Sequence, residues 1–270
     1  MCTCITYENG DFYFGRNLDL EYSFGERVVM TPRNHPLTFK RMESMGRHYG
    51  MIGMAAVMEE YPMYAEAVNE KGLCMAGLNF PGNAFYPVAG KKKYQVTPYE
   101  VIPWLLGQCS CVSEAVGYLK ETDLTGIPFA PEIPLAPLHF MLADRKEVWV
   151  AEPVEEGLKL YENPFGVLTN NPPFPFHLMN LRQYLNLTAR APENRFGEGL
   201  DMEPFGQGMG AIGLPGDASP ASRFVRAAFL RWNSRAPREE SANVSQLFHI
   251  LDSVSMVRGM VLTEEGREDV

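Results

Sequence analysis

Alternation of apolar and polar positions dominates the first eighty residues. Strand-like runs at 2–7 and 12–16 flank Asn9-Gly10, a pair that supplies positive φ at the tip of a tight hairpin, so Cys2 is predicted to begin the first strand. Further strands are predicted at 27–31, 49–57, 64–68 and 73–80, with Asn69-Glu70-Lys71-Gly72 as the turn before the last. The period then changes. Thr97-Pro98-Tyr99-Glu100 offers an N-cap threonine, a proline at the first helical position and a glutamate placed to close a capping box, which predicts a helix to about residue 106. A second helix is predicted over 113–121. Prolines at 128, 131, 134 and 137 then forbid regular structure, and the interleaved Phe129, Ile133 and Leu135 indicate a shaped loop rather than a polyproline ligand. Strands resume at 138–143, 147–153, 158–161 and 166–169, and helices are expected over 176–187, 221–232 and 244–257. Strands and helices segregated into runs favour a layered α+β sandwich over a doubly wound parallel sheet.

Length and composition narrow this picture. A chain of 270 residues, 46% hydrophobic and without an internal repeat or linker, reads as one domain over 1–270. No stretch approaches the apolar length of a membrane span and no basic segment precedes an apolar run near the start, so a cytoplasmic protein with no membrane partner is expected. Five cysteines, an odd number in a chain too large to need disulfide staples, fit reduced thiols. A net charge of −9 argues against a nucleic-acid partner, and Lys91-Lys92-Lys93 reads as a solvated loop.

Two apparent cofactor motifs fail on context. The glycines of 208–213 have dinucleotide-loop spacing, but no strand precedes them and Pro215 stands where the helix would begin. Cys2-Thr3-Cys4 and Cys109-Ser110-Cys111 lack zinc-site spacing. No cofactor or metal is expected, and the scattered histidines at 35, 48, 139, 177 and 249 receive no catalytic role.

The chemical interest concentrates at the N-terminus. Removal of Met1 would leave Cys2 with a thiol and a free α-amino group on one residue. Such groups have reference pKa values of about 8.5 and 7.7–8.0, so they can exchange a proton near neutrality. Phe14-Gly15-Arg16-Asn17-Leu18-Asp19 lies on the return strand of the same hairpin and can fold back on Cys2. Arg16 could favour the thiolate and Asp19 could hold the amine, although in isolation they read rather as a surface ion pair worth little. Asn170, in Thr169-Asn170-Asn171-Pro172, could donate to a developing oxyanion or simply turn the chain, and Asn79 before Phe80-Pro81 has the same two readings. Ser219-Pro220 is a helix start that puts Arg223 in the first turn, against the macrodipole, which suggests a role other than helix stability.

Taken together, Met1-Cys2-Thr3, Phe14 to Asp19, Asn69-Glu70-Lys71-Gly72-Leu73, Leu78-Asn79-Phe80-Pro81-Gly82, Leu168-Thr169-Asn170-Asn171-Pro172, Gly213 to Phe224 and Ser255-Met256-Val257-Arg258-Gly259 resemble the choloylglycine hydrolase family. That family comprises bile salt hydrolases and penicillin V acylases among the N-terminal-nucleophile hydrolases. The resemblance implies a four-layer αββα sandwich, two antiparallel sheets between helix layers, and a homotetramer. It implies Cys2 as nucleophile and base with Arg16 and Asp19 beside it, an oxyanion site from the Asn79 N–H and the Asn170 side chain, and Arg223 completing the polar network. It further implies hydrolysis of glycine- or taurine-conjugated bile acids in a cleft walled by Leu18, Met58, Phe129 and Ile133, residues that could equally be core. Leu78-Asn79-Phe80-Pro81 resembles the bile salt hydrolase branch, since penicillin V acylases tend to carry an aromatic residue in place of Asn79. A penicillin V acylase or a truncated, non-catalytic bile-acid-binding homologue remain the alternatives. The last arises because family members continue beyond this length with terminal strands, whereas residues 263–270 are charged and without strand pattern.

Overall fold

The hairpin signal at Asn9-Gly10 is realised in full: β1 (Cys2–Asn9) and β2 (Asp11–Leu18) pair antiparallel from Cys2↔Leu18 to Asn9↔Asp11, with Gly10 at φ +84° between them. The computed structural model describes residues 1–20 and 22–262. The charged tail at 263–270 lies outside the described residues. Along the chain follow β3 (Arg27–Thr31), β4 (Met51–Met58), β5 (Tyr61–Asn69), β6 (Cys74–Asn79) and a short β7 (Tyr94–Val96). Next come α1 (Val101–Gln108), α2 (Val112–Lys120), β8 (Thr122–Leu124), β9 (Leu138–Ala143), β10 (Val148–Val154), β11 (Gly157–Glu162) and β12 (Val167–Leu168). The helices α3 (Phe174–Leu181), α4 (Pro220–Asn233) and α5 (Glu240–Asp252) complete the described elements.

Two antiparallel sheets are stacked. The larger runs β11-β10-β9-β6-β5-β4-β3 and the smaller β12-β1-β2; a parallel pair, β7-β8, was not predicted. Strand alternation sorts the interior. Met75, Phe140, Leu142 and Ala151 turn outward to join Trp104, Leu105, Val112 and Val116 of α1 and α2. Ala76, Leu78, Met141 and Val150 turn inward to meet Cys2 and Cys4, while the smaller sheet's other side packs on Phe224, Ala227, Leu247 and Ile250 of α4 and α5. This is the four-layer αββα sandwich. β1, between its own sheet partners and between two layers, is buried from Cys2 to Tyr7.

Local chemistry explains most element ends. Glu100 closes on the Thr97 N–H at 3.1 Å as the capping box requires, but its other oxygen takes Lys40 N at 2.7 Å, and the turn tightens to 3₁₀ over Pro98–Glu100 before α1 begins. The Ser219 side chain accepts from Ser222 N at 3.3 Å and caps α4. The helix expected over 176–187 ends at Leu181 and continues only as a 3₁₀ turn, Arg182–Tyr184. The one expected over 244–257 starts earlier, with Glu240 in its first turn, where acidic side chains suit the dipole.

One irregularity shapes the centre. Between β4 and β5 the register slips from Met54↔Glu66 to Ala55↔Tyr64, which makes Ala65 a bulged residue. Next to it Gly53 is closely covered: a Cβ there would lie 1.9 Å from the Glu66 carbonyl oxygen and 2.6 Å from the Ala67 Cα, both main-chain atoms. Gly53→Ala is therefore expected to lower unfolding free energy by about 2–3 kcal/mol in urea titrations, because the strand itself must move. A stability equal to the parent's would contradict this packing.

α3 docks on α4 through His177, fully buried and stacked on Phe224 with centroids 4.7 Å apart at 20°. Burial, aided by nearby His139 and Arg223, depresses the His177 pKa from 6.5 to about 4 against the opposing hydrogen bond to the Asn170 carbonyl. The unfolded chain takes up the proton first, so this contribution is whole above pH 6.5 and lost as pH falls towards 4. Its size is about 3 kcal/mol. The stability difference between the parent protein and His177→Gln should shrink by about that much from pH 7 to pH 4; a difference that does not change with pH would refute the assignment.

Candidate active site

Cys2, at the start of β1 between the two sheets, is buried at 2% exposure. Arg16 is the register partner of Cys4, one diagonal step from Cys2 on the same sheet face, and its Nη2 donates to Cys2 Sγ at 2.7 Å. Its Nη1 donates to the carbonyls of Gly77 at 2.8 Å and Ala65 at 3.2 Å and lies 3.4 Å from Glu66 Oε2. These acceptors exist because of the sheet's irregularity. β5–β6 pairing ends at Glu66↔Ala76, one step before Ala65 and Gly77 would face each other, and both of their carbonyls accept from Arg16 instead. The guanidinium fills the resulting gap, its side chain 3% exposed.

Burial works against the charge on Arg16, but the facing Cys2 sulfur, Glu66 and Cys4 outweigh it and raise its pKa overall. Glu66 is itself pushed upward by burial, with Arg16 pulling the other way. Burial also drives the Cys4 thiol well above the ordinary range and keeps it protonated. Glu66 had no place among the expected site residues. The signal available was a glutamate inside the apolar strand Tyr61–Asn69, which the bulge turns to the inner face.

The second half of the site is a chain of hydrogen bonds around Asn170, just past β12. Its Oδ1 accepts from Cys2 N at 3.0 Å and from Arg223 Nη2 at 2.7 Å, and its Nδ2 donates to the Asn79 carbonyl at 2.7 Å. The side-chain amide is thus fixed in one orientation, with one N–H to spare. Arg223, fully buried, also donates from Nη1 to the Cys2 carbonyl at 2.5 Å and to Thr3 Oγ1 at 2.7 Å. These contacts explain a cation in the first turn of α4. The Asn170 carbonyl is in turn bonded by His177 Nε2 at 3.1 Å.

Strand geometry also orients the Asn79 backbone. Phe80 N donates to Pro137 O at 2.6 Å, so even-numbered residues at this end of β6 bond towards β9 and odd-numbered ones face the opposite edge. There Arg16 takes Gly77 O and Asn170 takes Asn79 O, and the Asn79 N–H points to that same edge. Asp19 is buried at 7% exposure directly after β2; its N–H bonds the Met1 carbonyl at 2.9 Å and its own carbonyl accepts from the Met1 amine. With Met1 attached, Cys2 N is an amide nitrogen.

The four expected wall residues come from three separate parts of the fold, the first hairpin, the end of β4 and the proline loop. Leu18 is the register partner of Cys2. Met58 pairs with Tyr61, and the Phe129 ring lies 6.0 Å from Tyr61 and 5.5 Å from Tyr99, an aromatic cluster in which both tyrosines went unforeseen. Ile133 is half-buried in the same proline loop as Phe129. A separate surface hollow lined by Arg33, Tyr49, Glu70, Lys71 and Gln108 lies on the α1 side of the large sheet, and none of the expected site residues borders it. Among the described residues no group of three or more His, Cys, Asp or Glu side chains is placed to hold a metal ion, and no helix is long and apolar enough to cross a membrane.

Known proteins resemble the chain along almost its whole length. The bile salt hydrolase/transferase of Lactiplantibacillus plantarum is 49% identical over 267 residues, which covers 99% of this chain and 82% of that protein. The conjugated bile acid hydrolase of Lactobacillus acidophilus is 38% identical over 275 residues, 100% of this chain and 86% of the relative. A crystal structure of a conjugated bile acid hydrolase variant from Clostridium perfringens superposes with a TM-score of 0.89 at 36% identity, over all of this chain and 84% of that one. A penicillin V acylase from Agrobacterium tumefaciens shares the fold at a TM-score of 0.74 and 20% identity. The sequence model for linear amide C–N hydrolases of the choloylglycine hydrolase family matches residues 2–270, and the chain belongs to that family.

Proposed function

We propose that this protein hydrolyses the amide bond of bile acids conjugated to glycine or taurine, with Cys2 as an N-terminal nucleophile after Met1 is removed. The observation that carries the reading is the Arg16 Nη2 contact of 2.7 Å on Cys2 Sγ, with Asn170 bridging Cys2 N and Asn79 on the other side. The named activities of the relatives support the substrate class.

Once Met1 is gone, the freed amine stays beside Asn170 Oδ1 and takes the thiol proton, while Arg16 holds the resulting thiolate. Sulfur attacks the substrate carbonyl carbon. The oxyanion that forms receives the spare Asn170 Nδ2 hydrogen and the Asn79 N–H, donors already fixed before the reaction begins. The protonated amine then gives its proton to the departing nitrogen of glycine or taurine, the C–N bond breaks and a thioester remains. Water, deprotonated by the same amine, attacks the thioester, releases the bile acid and returns the thiol. Asp19 steadies the N-terminus and Arg223 fixes the Cys2 carbonyl and Asn170 together. Leu18, Met58, Phe129 and Ile133 wall the steroid cleft, extended by Tyr61 and Tyr99.

The chain acts as one catalytic domain over 1–270, cytoplasmic and homotetrameric. Exposed apolar side chains on the segment before α4, among them Phe196 at 85% and Phe205 at 93% exposure, support association. A penicillin V acylase activity is the second reading, supported by the shared fold alone.

Protein whose intact mass shows the loss of one methionine residue should release free amino acid from glycocholate or taurocholate. Cys2→Ser should remove this activity, and Asn170→Ala should lower kcat by about 10²–10³ through the lost oxyanion donor. Absence of amino acid release from folded, processed protein would refute the proposal, and faster turnover of penicillin V would favour the second reading.

A further inference from the structure

The oxyanion donors sit on separate elements, the end of β6 and the turn after β12, and neither contacts the other through main-chain pairing. Behind them lies a pair with no assigned role. His139 of β9 and Glu152 of β10 are fully buried, with His139 Nδ1 at 3.1 Å from Glu152 Oε1. His139 Nε2 donates to the Thr169 carbonyl at 3.1 Å, immediately before Asn170. The His139 ring also lies flat on Phe80, immediately after Asn79, with centroids 4.3 Å apart and planes 7° apart. Both Glu152 oxygens accept from Phe174 N, at 3.0 and 3.1 Å, and so tie down the start of α3, which carries His177.

We propose that His139, oriented by Glu152, is a positioning residue that sets the spacing of the Asn79 and Asn170 donors. The reasoning is geometric and rests on the oxyanion role assigned to those asparagines above. One imidazole touches the neighbour of each donor, by stacking on one side and by a hydrogen bond on the other. Nε2 faces a carbonyl and must carry hydrogen; Nδ1 faces a carboxylate oxygen, and the His139–Glu152 contact holds a proton between them, so the pair satisfies its polar atoms without a net buried charge. The ring's position is thereby fixed, and misplacing an oxyanion donor by a fraction of its bond length costs catalysis without loss of substrate binding.

The test uses the full chain, processed at Met1, as His139→Phe, Glu152→Gln and Glu152→Leu. His139→Phe keeps the stacking and loses the hydrogen bonds. It should lower kcat for glycocholate on the order of 10²-fold with little change in KM, while Cys2 alkylation by iodoacetamide, which needs no oxyanion site, keeps its rate. Glu152→Gln can still donate to Nδ1 and accept from Phe174 N, and should lose several-fold less kcat than Glu152→Leu. Amide hydrogen exchange should quicken in His139→Phe around both Asn79–Phe80 and Thr169–Asn170. The proposal is overturned if His139→Phe retains the parent kcat, if alkylation falls in step with kcat, or if glutamine is as damaging as leucine at 152. Should the parent itself release no amino acid, the bile acid reading fails and exchange decides this one: unchanged protection in either segment overturns it.

Discussion

A cation without water must be surrounded by acceptors, and the buried Arg16 guanidinium sets that constraint on the centre of this molecule. Its acceptors come from an interrupted sheet: the Ala65 and Gly77 carbonyls left where β5 and β6 part, and the Glu66 carboxylate. The remaining N–H groups are then available for the Cys2 sulfur. A regular seven-stranded sheet would have paired those carbonyls with backbone N–H groups and left the arginine nowhere to reside. The parting of β5 from β6 is in that sense a condition for the site, and Gly53, which tolerates the close approach of Glu66 and Ala67 on its other side, keeps β5 in place.

Arg223 plays the complementary part on the other layer. It enters from α4, bonds the Cys2 carbonyl, Thr3 and Asn170, and so connects the helix layer to the small sheet and to the turn after β12. Two buried arginines thus approach the same residue from opposite sides, one through its sulfur and one through its backbone. In the proposed reaction the asymmetry matters chemically: Arg16 faces the atom whose charge changes, whereas Arg223 faces groups whose charge does not.

Legibility in the sequence followed the range of the interactions. The hairpin, the helix starts at Pro98 and Pro220 and the layered order of elements were readable because Asn-Gly, capping residues and alternation act over a few positions. Arg16 could be placed near Cys2 because they share a hairpin. Arg223 stood out locally as a cation in the first turn of a helix, whereas Asn79 and Asn170 entered through resemblance to a family, since nothing local distinguishes an asparagine of a proposed oxyanion site from one that turns the chain. Glu66, His139, Glu152 and Tyr61 were passed over for the converse reason. Each looks like an ordinary strand residue until a bulge, a cross-strand pair or a loop from elsewhere gives it a neighbour. The wall residues lie between these cases, with Leu18 brought to Cys2 by hairpin register while Phe129 depends on the course of a proline-rich loop.

The placement of β1 has a consequence for the order of events during synthesis. The first strand made is the central strand of its sheet: Cys4 pairs with Leu168, and the Cys2 carbonyl waits for Arg223. At about 5–20 residues per second, roughly ten to forty-five seconds of translation separate the emergence of Cys2 from that of Arg223. Throughout that interval the helix that carries Arg223 is absent, and the Cys2 carbonyl lacks that partner. Afterwards the Met1 amine is engaged by the Asp19 carbonyl and the Met1 sulfur lies 3.6 Å from Arg223 Nη2. On the proposed role of Cys2, the trimming that creates the nucleophile belongs to the span of translation before Arg223 arrives, when the last of its hydrogen-bond partners is still unmade.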